Sequence, residues 1–110
     1  MALATQAIIE QVKERLVQGL DPDRIILFGS YAYGDPDDGS DLDILIVMPE
    51  SHAPQYKRAR DCYHLLRGIG VPKDIIVLTR QEYQSQKTSF ASLASLASRK
   101  GKILYERSVA

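Results

Sequence analysis

The segment from Gly29 to Asp43 reads Gly-Ser-Tyr-Ala-Tyr-Gly-Asp-Pro-Asp-Asp-Gly-Ser-Asp-Leu-Asp, and a short apolar run stands on each side of it. These runs, Arg24–Phe28 and Leu42–Met48, are rich in isoleucine and leucine and predict two buried strands. The segment begins as the first strand ends, and its last two carboxylates, Asp41 and Asp43, are predicted to lie in the second strand. Burying an ionised carboxylate costs far more free energy than a methyl group gains. Two acids in a buried strand therefore indicate a functional site.

Hydrophobic periodicity predicts a helix before these strands and a second helix after them. In the first, from about Ala4 to Gln18, apolar residues recur every fourth position, and Gly19 is the predicted stop. The second is predicted from Pro54 to about Arg67. Its apolar stripe is formed by Tyr56, Ala59, Tyr63 and Leu66.

The remainder of the chain predicts a third strand and further helices. Asp74–Leu78 is again a short apolar run that an acid opens. Thr79 and Glu82 have the spacing of a capping box, so a short helix is expected to begin near Arg80. Thr88–Ser98 predicts a helix with small side chains, and Ile103–Tyr105 is either a terminal strand or a tail.

This order of elements predicts an α+β (mixed α/β) fold. We expect a small mixed β-sheet of three or more strands flanked by helices, in a single domain over residues 1–110. The long excursion between the first two strands is where a functional site is expected.

Composition narrows the class of protein. The 110 residues contain 14 Lys and Arg against 14 Asp and Glu, so a protein that holds nucleic acid mainly through its phosphates is not indicated. Cys62 is alone, which excludes an internal disulfide and predicts a small, partly buried thiol. No stretch approaches the roughly 20 apolar residues of a membrane span and no signal peptide is recognisable, so a cytoplasmic location is expected.

The acids have the spacing of a metal-bound phosphate site. Asp41 and Asp43 point the same way along a strand, roughly 7 Å apart at about 3.3 Å per residue. Carboxylates at that separation suit one Mg²⁺ or a pair of ions, which stabilise the attacking and leaving oxygens of a phosphoryl displacement. If the third strand pairs beside the second, Asp74 supplies a third carboxylate, as metal ligand or as general base for an acceptor hydroxyl. The alternative is that Asp74 merely caps the strand after Pro72 and Lys73.

Glycine and serine at the end of the first strand have a different predicted task. Gly29 permits close approach of the backbone, and the amides of a following helical turn can hold an anion. The Ser30 hydroxyl is a further donor to a terminal phosphate. Each part is weak evidence alone, but Gly-Ser, ten residues and then Asp-x-Asp in a strand is much more specific.

Several other polar residues have simpler interpretations. Asp35, Asp37 and Asp38 are predicted to be solvent-exposed turn residues, because Asp, Pro and Gly, which make up Asp-Pro-Asp-Asp-Gly, favour tight turns. Tyr31 and Tyr33 are either core residues or groups that stack on a base. His52 is predicted to be solvated and His64 to be structural or exposed. A solvated helix face, or alternatively a contact with phosphate or a partner, is predicted for Lys57, Arg58 and Arg60.

These motifs resemble the nucleotidyltransferase superfamily that includes DNA polymerase beta. More narrowly, the chain resembles the minimal nucleotidyltransferases, the antitoxin half of the MNT–HEPN toxin–antitoxin pairs. The resemblance is carried by Leu-Phe-Gly-Ser-Tyr-Ala-Tyr-Gly at 27–34, Ser-Asp-Leu-Asp-Ile-Leu-Ile-Val at 40–47 and Asp-Ile-Ile-Val at 74–77. It places the family's Gly-Ser on Gly29 and Ser30, and its three catalytic acids on Asp41, Asp43 and Asp74.

The resemblance implies a polymerase beta-like nucleotidyltransferase fold and an activity. That activity is the transfer of AMP from ATP, with Mg²⁺, to a tyrosine hydroxyl of a partner toxin, a small all-helical HEPN ribonuclease. The chain departs from the family at Tyr33, where the family often has an arginine that would suit triphosphate binding. Catalysis is then slow, another residue supplies the charge, or the antitoxin neutralises its partner by binding alone.

A polymerase or tRNA-modifying enzyme is the disfavoured interpretation, because the chain is small and its charge is balanced. Exposed sheet edges are compatible with homodimers or larger complexes, and no residue fixes their stoichiometry.

Overall fold

The computed structural model describes residues 5–37, 39–87 and 100–107, in which helices and strands alternate along the chain. In order they are α1 (Gln6–Leu20), β1 (Arg24–Phe28), α2 (Ser30–Tyr33), β2 (Leu42–Met48), α3 (Gln55–Leu65), β3 (Lys73–Thr79), α4 (Arg80–Gln86) and β4 (Lys102–Glu106). The bounds predicted for β1 and for the apolar run Leu42–Met48 are confirmed, although Asp41 lies just outside β2, and Ile103–Tyr105 is part of a strand rather than a tail. The helix predicted over Thr88–Ser98 lies outside the described residues.

The strands form one mixed sheet in the order β3-β2-β1-β4. β1 is antiparallel to both of its neighbours, β2 and β4, whereas β2 and β3 run parallel. The long connection through α3 allows this parallel pairing. A bulge in β4 lies opposite Ile25 and Ile26. The predicted mixed α+β fold with a small mixed sheet is therefore confirmed, with β4 as its fourth strand.

The two faces of the sheet are covered differently. On one face α1 and α3 pack on the larger apolar cluster, whose fully buried members include Val12, Leu16, Ile44 and Cys62. On the other face a smaller cluster contains Ile26, Phe28, Leu45, Val47, Leu78 and Tyr83 of α4. Within the described part of the chain, no helix is long and apolar enough to cross a membrane.

Helix α1 passes the stop that was predicted for it. It begins at an N-cap, Thr5, whose side chain accepts a hydrogen bond from the amide of Ile8, and it continues through Gly19 to Leu20. The cap is Asp21, in the left-handed conformation, whose amide donates to the Val17 carbonyl at 3.0 Å. Gly19 serves packing instead, because a Cβ at this position would lie 2.6 Å from the Leu65 side chain of α3.

The apolar stripe predicted for α3 is wrong in part. Cys62 and Leu66 are buried, but Tyr56 is 71% exposed and Tyr63 is 41% exposed. Adjacent positions on a helix lie about 100° apart, so the face that meets the sheet passes through Cys62 rather than Tyr63. Burial, with the nearby charge of Asp61, also raises the pKa of the Cys62 thiol to about 12, which makes it an inert core group, more completely buried than predicted.

Arg58 is the second correction on α3, because its side chain is only 11% exposed rather than solvated. Its guanidinium donates to the carbonyls of Ala53 and Val77 and, at 2.7 Å, to Glu82. Glu82 also accepts from the amide of Thr79, which completes the predicted capping box of α4. One arginine thus joins α3, β3 and α4.

A second ionic group closes the end of the sheet where β1 begins. Asp23 receives a two-pronged hydrogen bond from Arg80 at 2.6 and 2.9 Å, and its backbone carbonyl accepts from the amide of Arg107. The Arg80 guanidinium holds the pKa of Asp23 below its usual range. Asp23 therefore joins β1 to α4 and to the end of β4, and leaves the opposite end of the sheet for the acids discussed next.

Candidate active site

Three residues form a row across the sheet at the end where β1 stops. Phe28 of β1 lies opposite Asp43 of β2, and Asp43 lies opposite Asp74 of β3. Paired residues of neighbouring strands point to the same face, and strands are about 4.8 Å apart. The row continues the smaller apolar cluster, since the next paired residues inward are Ile26, Leu45 and Ile76. The third acid is therefore on the same side of the sheet as Asp43.

Asp41 does not lie inside the second strand, contrary to the prediction. The strand begins one residue later, at Leu42, and Asp41 is exposed. Asp43 is half-buried and Asp74 is exposed. The sheet therefore does not bury a pair of acids; it holds Asp43 partly covered, with Asp41 and Asp74 at the rim.

The carboxylate of Asp43 feels the charges of the other two acids. Burial raises the pKa of Asp43 first, and the negative charges of Asp74 and then Asp41 raise it further. Among residues 5–37, 39–87 and 100–107, no three His, Cys, Asp or Glu side chains converge on one point as a preformed metal site. The charges of Asp74 and Asp41 are close enough to act on Asp43, but the described residues do not complete the ligand set of an ion.

Gly29 shapes the site from the end of β1. Its φ of 74° and ψ of −156° fall in a region that only glycine occupies readily. A Cβ here would lie 2.1 Å from Oδ2 of Asp43, so the absence of a side chain also makes room for that carboxylate. The chain then turns at once into α2, where the amides of Ala32 and Tyr33 donate to the Gly29 carbonyl.

The loop between α2 and β2 is closed by its own polar groups. Oδ1 of Asp37 accepts from the amide of Gly39 at 2.9 Å and from the Ser40 hydroxyl at 3.3 Å. The Ser40 amide donates to the Asp37 carbonyl. The prediction that Asp37 is a turn residue is confirmed, Asp35 is exposed, and Asp38 lies outside the described residues.

The backbone before Asp74 is fixed by several hydrogen bonds. The amide of Leu42 donates to the Pro72 carbonyl at 2.9 Å, which starts the pairing of β2 with β3. The ammonium group of Lys73 donates to the carbonyls of Ile69 and Val71, both at 2.8 Å, and burial lowers its pKa. Lys73 thus stabilises the turn that leads into the strand carrying Asp74.

The other candidate site residues are not part of the row formed by Phe28, Asp43 and Asp74. Tyr33 is 46% exposed at the end of α2, whereas Tyr31 is half-buried against the larger core cluster. His52 and His64 are both exposed. The hydroxyl of Tyr63 bonds to the backbone on both sides of Asp74. This residue was predicted to belong to the apolar stripe of α3, because an aromatic residue at helical spacing is typical of the core.

This donor set suits a hard cation that brings its own oxygen ligands. Mg²⁺ in nucleotide sites is held by one or two carboxylates together with phosphate oxygens and water. The crowded negative charge at Asp43 is what such an ion would neutralise. The residues present therefore fit Mg²⁺ bound together with a nucleotide, rather than an ion held by protein ligands alone.

Substitution of Gly29 by alanine tests the conformational requirement. The strained φ and the approach to Asp43 predict a loss of about 1–3 kcal/mol in the free energy of unfolding. Gly70→Ala is the matched control, since a Cβ there meets nothing within 4 Å. Urea denaturation measures both variants. An equal effect of the two substitutions would contradict the special role of Gly29.

The charge of Asp43 is expected to destabilise the protein when no metal is bound. A pKa raised on folding means that this penalty is fully present above the folded pKa and disappears as pH falls towards the unfolded value of about 3.9. Asp43→Asn should therefore raise the melting temperature at pH 7 by a few degrees, and the gain should vanish near pH 4. Thermal melts in EDTA across this range provide the measurement, with exposed Asp35→Asn as control. A lower melting temperature for Asp43→Asn at pH 7 would show that the carboxylate is stabilising instead.

Comparison with known proteins agrees with this geometry. The family profile of the nucleotidyltransferase domain matches residues 7–107. A Methanocaldococcus jannaschii protein described as a putative protein adenylyltransferase is 38% identical over 68 residues, which are 62% of this chain and 67% of that protein. The crystal structure of a putative nucleotidyltransferase from Sulfolobus solfataricus superposes with a TM-score of 0.64 at 23% identity, covering 90% of this chain and 78% of that one, and it shows the shared fold. The chain therefore belongs to the nucleotidyltransferase domain family.

Proposed function

We propose that this chain is a Mg²⁺-dependent adenylyltransferase that transfers AMP from ATP to a tyrosine hydroxyl of a protein partner. One observation carries the proposal: Asp43 and Asp74 lie side by side on neighbouring parallel strands, beside the glycine turn at Gly29. Two acids at the end of a sheet, next to a glycine whose backbone lies close to one of them, suit a triphosphate and its cation.

The acids have separate roles in this proposal. Asp41 and Asp43 hold Mg²⁺, with two ions expected, and the phosphate oxygens of ATP supply further ligands. When bound, the metal neutralises the charge that develops on the phosphate oxygens. Gly29 and Ser30 contact the phosphates at the turn into α2.

Asp74 receives a proton from the acceptor. The tyrosine oxygen forms a bond to the α-phosphorus of ATP, while the bond from that phosphorus to the bridging oxygen breaks and pyrophosphate leaves. The phenolic proton passes to the Asp74 carboxylate. Asp74 suits this task because it is the exposed acid on β3, the edge strand of the sheet.

The acceptor in this proposal is a HEPN ribonuclease toxin, which would make the chain a type VII-like antitoxin. Its support is the resemblance of the motifs at 27–34 and 40–47 to the minimal nucleotidyltransferases. The Methanocaldococcus jannaschii relative, described as a putative protein adenylyltransferase, supports a protein acceptor.

Transfer of label from α-³²P-ATP to the helical partner tests the enzymatic proposal. We expect labelling in the presence of Mg²⁺, and a decrease of at least about 100-fold for Asp43→Asn and for Asp74→Asn, because each removes one of the charges used in the transition state. Asp35→Asn, an exposed loop substitution, should retain full labelling. Equal labelling by wild type and Asp43→Asn would reject the assignment.

Neutralisation by binding alone is the second candidate, and Tyr33 favours it. This exposed side chain stands where the resembling family often has an arginine, and tyrosine has no charge for the triphosphate. If binding alone is the function, cells that express the toxin with the Asp41→Asn/Asp43→Asn double variant grow as well as cells with the wild type. Growth arrest by the double variant, when a pull-down shows that it still binds the toxin, would rule out this candidate and support the enzyme.

A further inference from the structure

Tyr63 of α3 makes both of its hydrogen bonds to the strand that carries Asp74. Its hydroxyl donates to the Lys73 carbonyl at 3.2 Å and accepts from the Ile75 amide at 3.1 Å. These two backbone groups flank Asp74 on its two sides. A tyrosine hydroxyl has one donor and two acceptor sites, so a single side chain can serve both groups.

The position of these bonds in the sheet is informative. Among the described residues, β3 is an edge strand of the sheet and pairs with β2 alone. Successive residues in a strand direct their backbone groups to opposite edges, and the Pro72 carbonyl accepts from Leu42 of β2. The backbone groups of Lys73 and Ile75 therefore face the edge of β3 that lies away from β2, where Tyr63 bonds to them, while those of Asp74 face β2. The backbone around Asp74 is therefore held on both edges of β3.

We propose that Tyr63 is a positioning residue that holds Asp74 in register with Asp43. This inference rests on the proposed function, because it assigns Tyr63 a part in the same transfer reaction. Without this hydroxyl the segment around Asp74 would be paired on one edge only, and its carboxylate would sample orientations away from the acceptor. A displacement of about 1 Å at a reacting group can reduce a rate by two orders of magnitude.

A different role would be protection of the edge against pairing with another chain. Edge strands are commonly blocked in that way. Such a role would affect stability or association but not the rate of transfer at a temperature where the protein is folded. The two roles are therefore separated by measuring kcat, KM and folding stability on the same variants.

Tyr63→Phe is the test substitution, because it keeps the ring and removes both hydrogen bonds. Tyr56→Phe is the matched control on the same helix, since Tyr56 is 71% exposed. We expect kcat for AMP transfer to decrease at least about tenfold in Tyr63→Phe, with the KM for ATP within about twofold of wild type and Tyr56→Phe unchanged. In an Asp74→Asn background, Tyr63→Phe should cause no further decrease, because residues that act through one another are not additive. A kcat within twofold of wild type, or a full tenfold decrease in the Asp74→Asn background, would overturn the inference.

Hydrogen exchange measured by NMR gives a readout that is independent of activity. The Ile75 amide should exchange at least about tenfold faster in Tyr63→Phe than in Tyr56→Phe, with the amides of β1 unchanged. Unchanged exchange at Ile75 would refute the proposed hold of Tyr63 on β3 even if the enzyme is active. Absence of transfer by wild type, together with faster exchange at Ile75, would instead reject the proposed function and leave Tyr63 as a tether of the strand.

Discussion

The parallel pairing of β2 with β3 is the constraint on which the site depends. It places Asp43 and Asp74 opposite each other, because their register is fixed along the whole length of both strands. A shift by one residue would turn Asp74 to the other face of the sheet, into the positions now filled by Ile75 and Val77. Those residues belong to the larger core cluster, so burial of apolar side chains sets the position of the acids.

The candidate active site lowers the stability of the fold instead of adding to it. Asp43 is half-buried beside two other acids, and Gly29 adopts a conformation that other residues avoid. Both features cost stability, and neither contributes to the core. Functional sites commonly retain such features because the chemistry requires them. The far end of the sheet is different, since Asp23 and Glu82 each have arginine partners there.

Much of this arrangement could be predicted from the sequence. Short isoleucine-rich runs bounded by turn residues indicated β1 and β2, and the Thr79–Glu82 spacing indicated α4, because these signals are local. The side chains that join elements were not predictable in the same way. Arg58 resembles any solvated arginine until the carbonyls of Ala53 and Val77 are placed around it, and Tyr63 resembles a core aromatic until β3 lies beside it. The predicted stop at Gly19 is wrong because the helix continues to Leu20 and Asp21, two residues after Gly19, adopts the left-handed cap.

Diffraction from crystals grown with Mn²⁺ and a non-hydrolysable ATP analogue would show whether Asp43 holds the metal of a bound nucleotide. Anomalous scattering locates the manganese independently of the protein atoms. We expect a manganese ion in direct contact with an Asp43 oxygen, with the triphosphate beside Gly29 and the α-phosphorus on the same face of the sheet as Asp74. A nucleotide bound elsewhere, for example in the open cleft of about 680 Å³ lined by Leu20, Arg60 and His64, with no metal at Asp43, would contradict it.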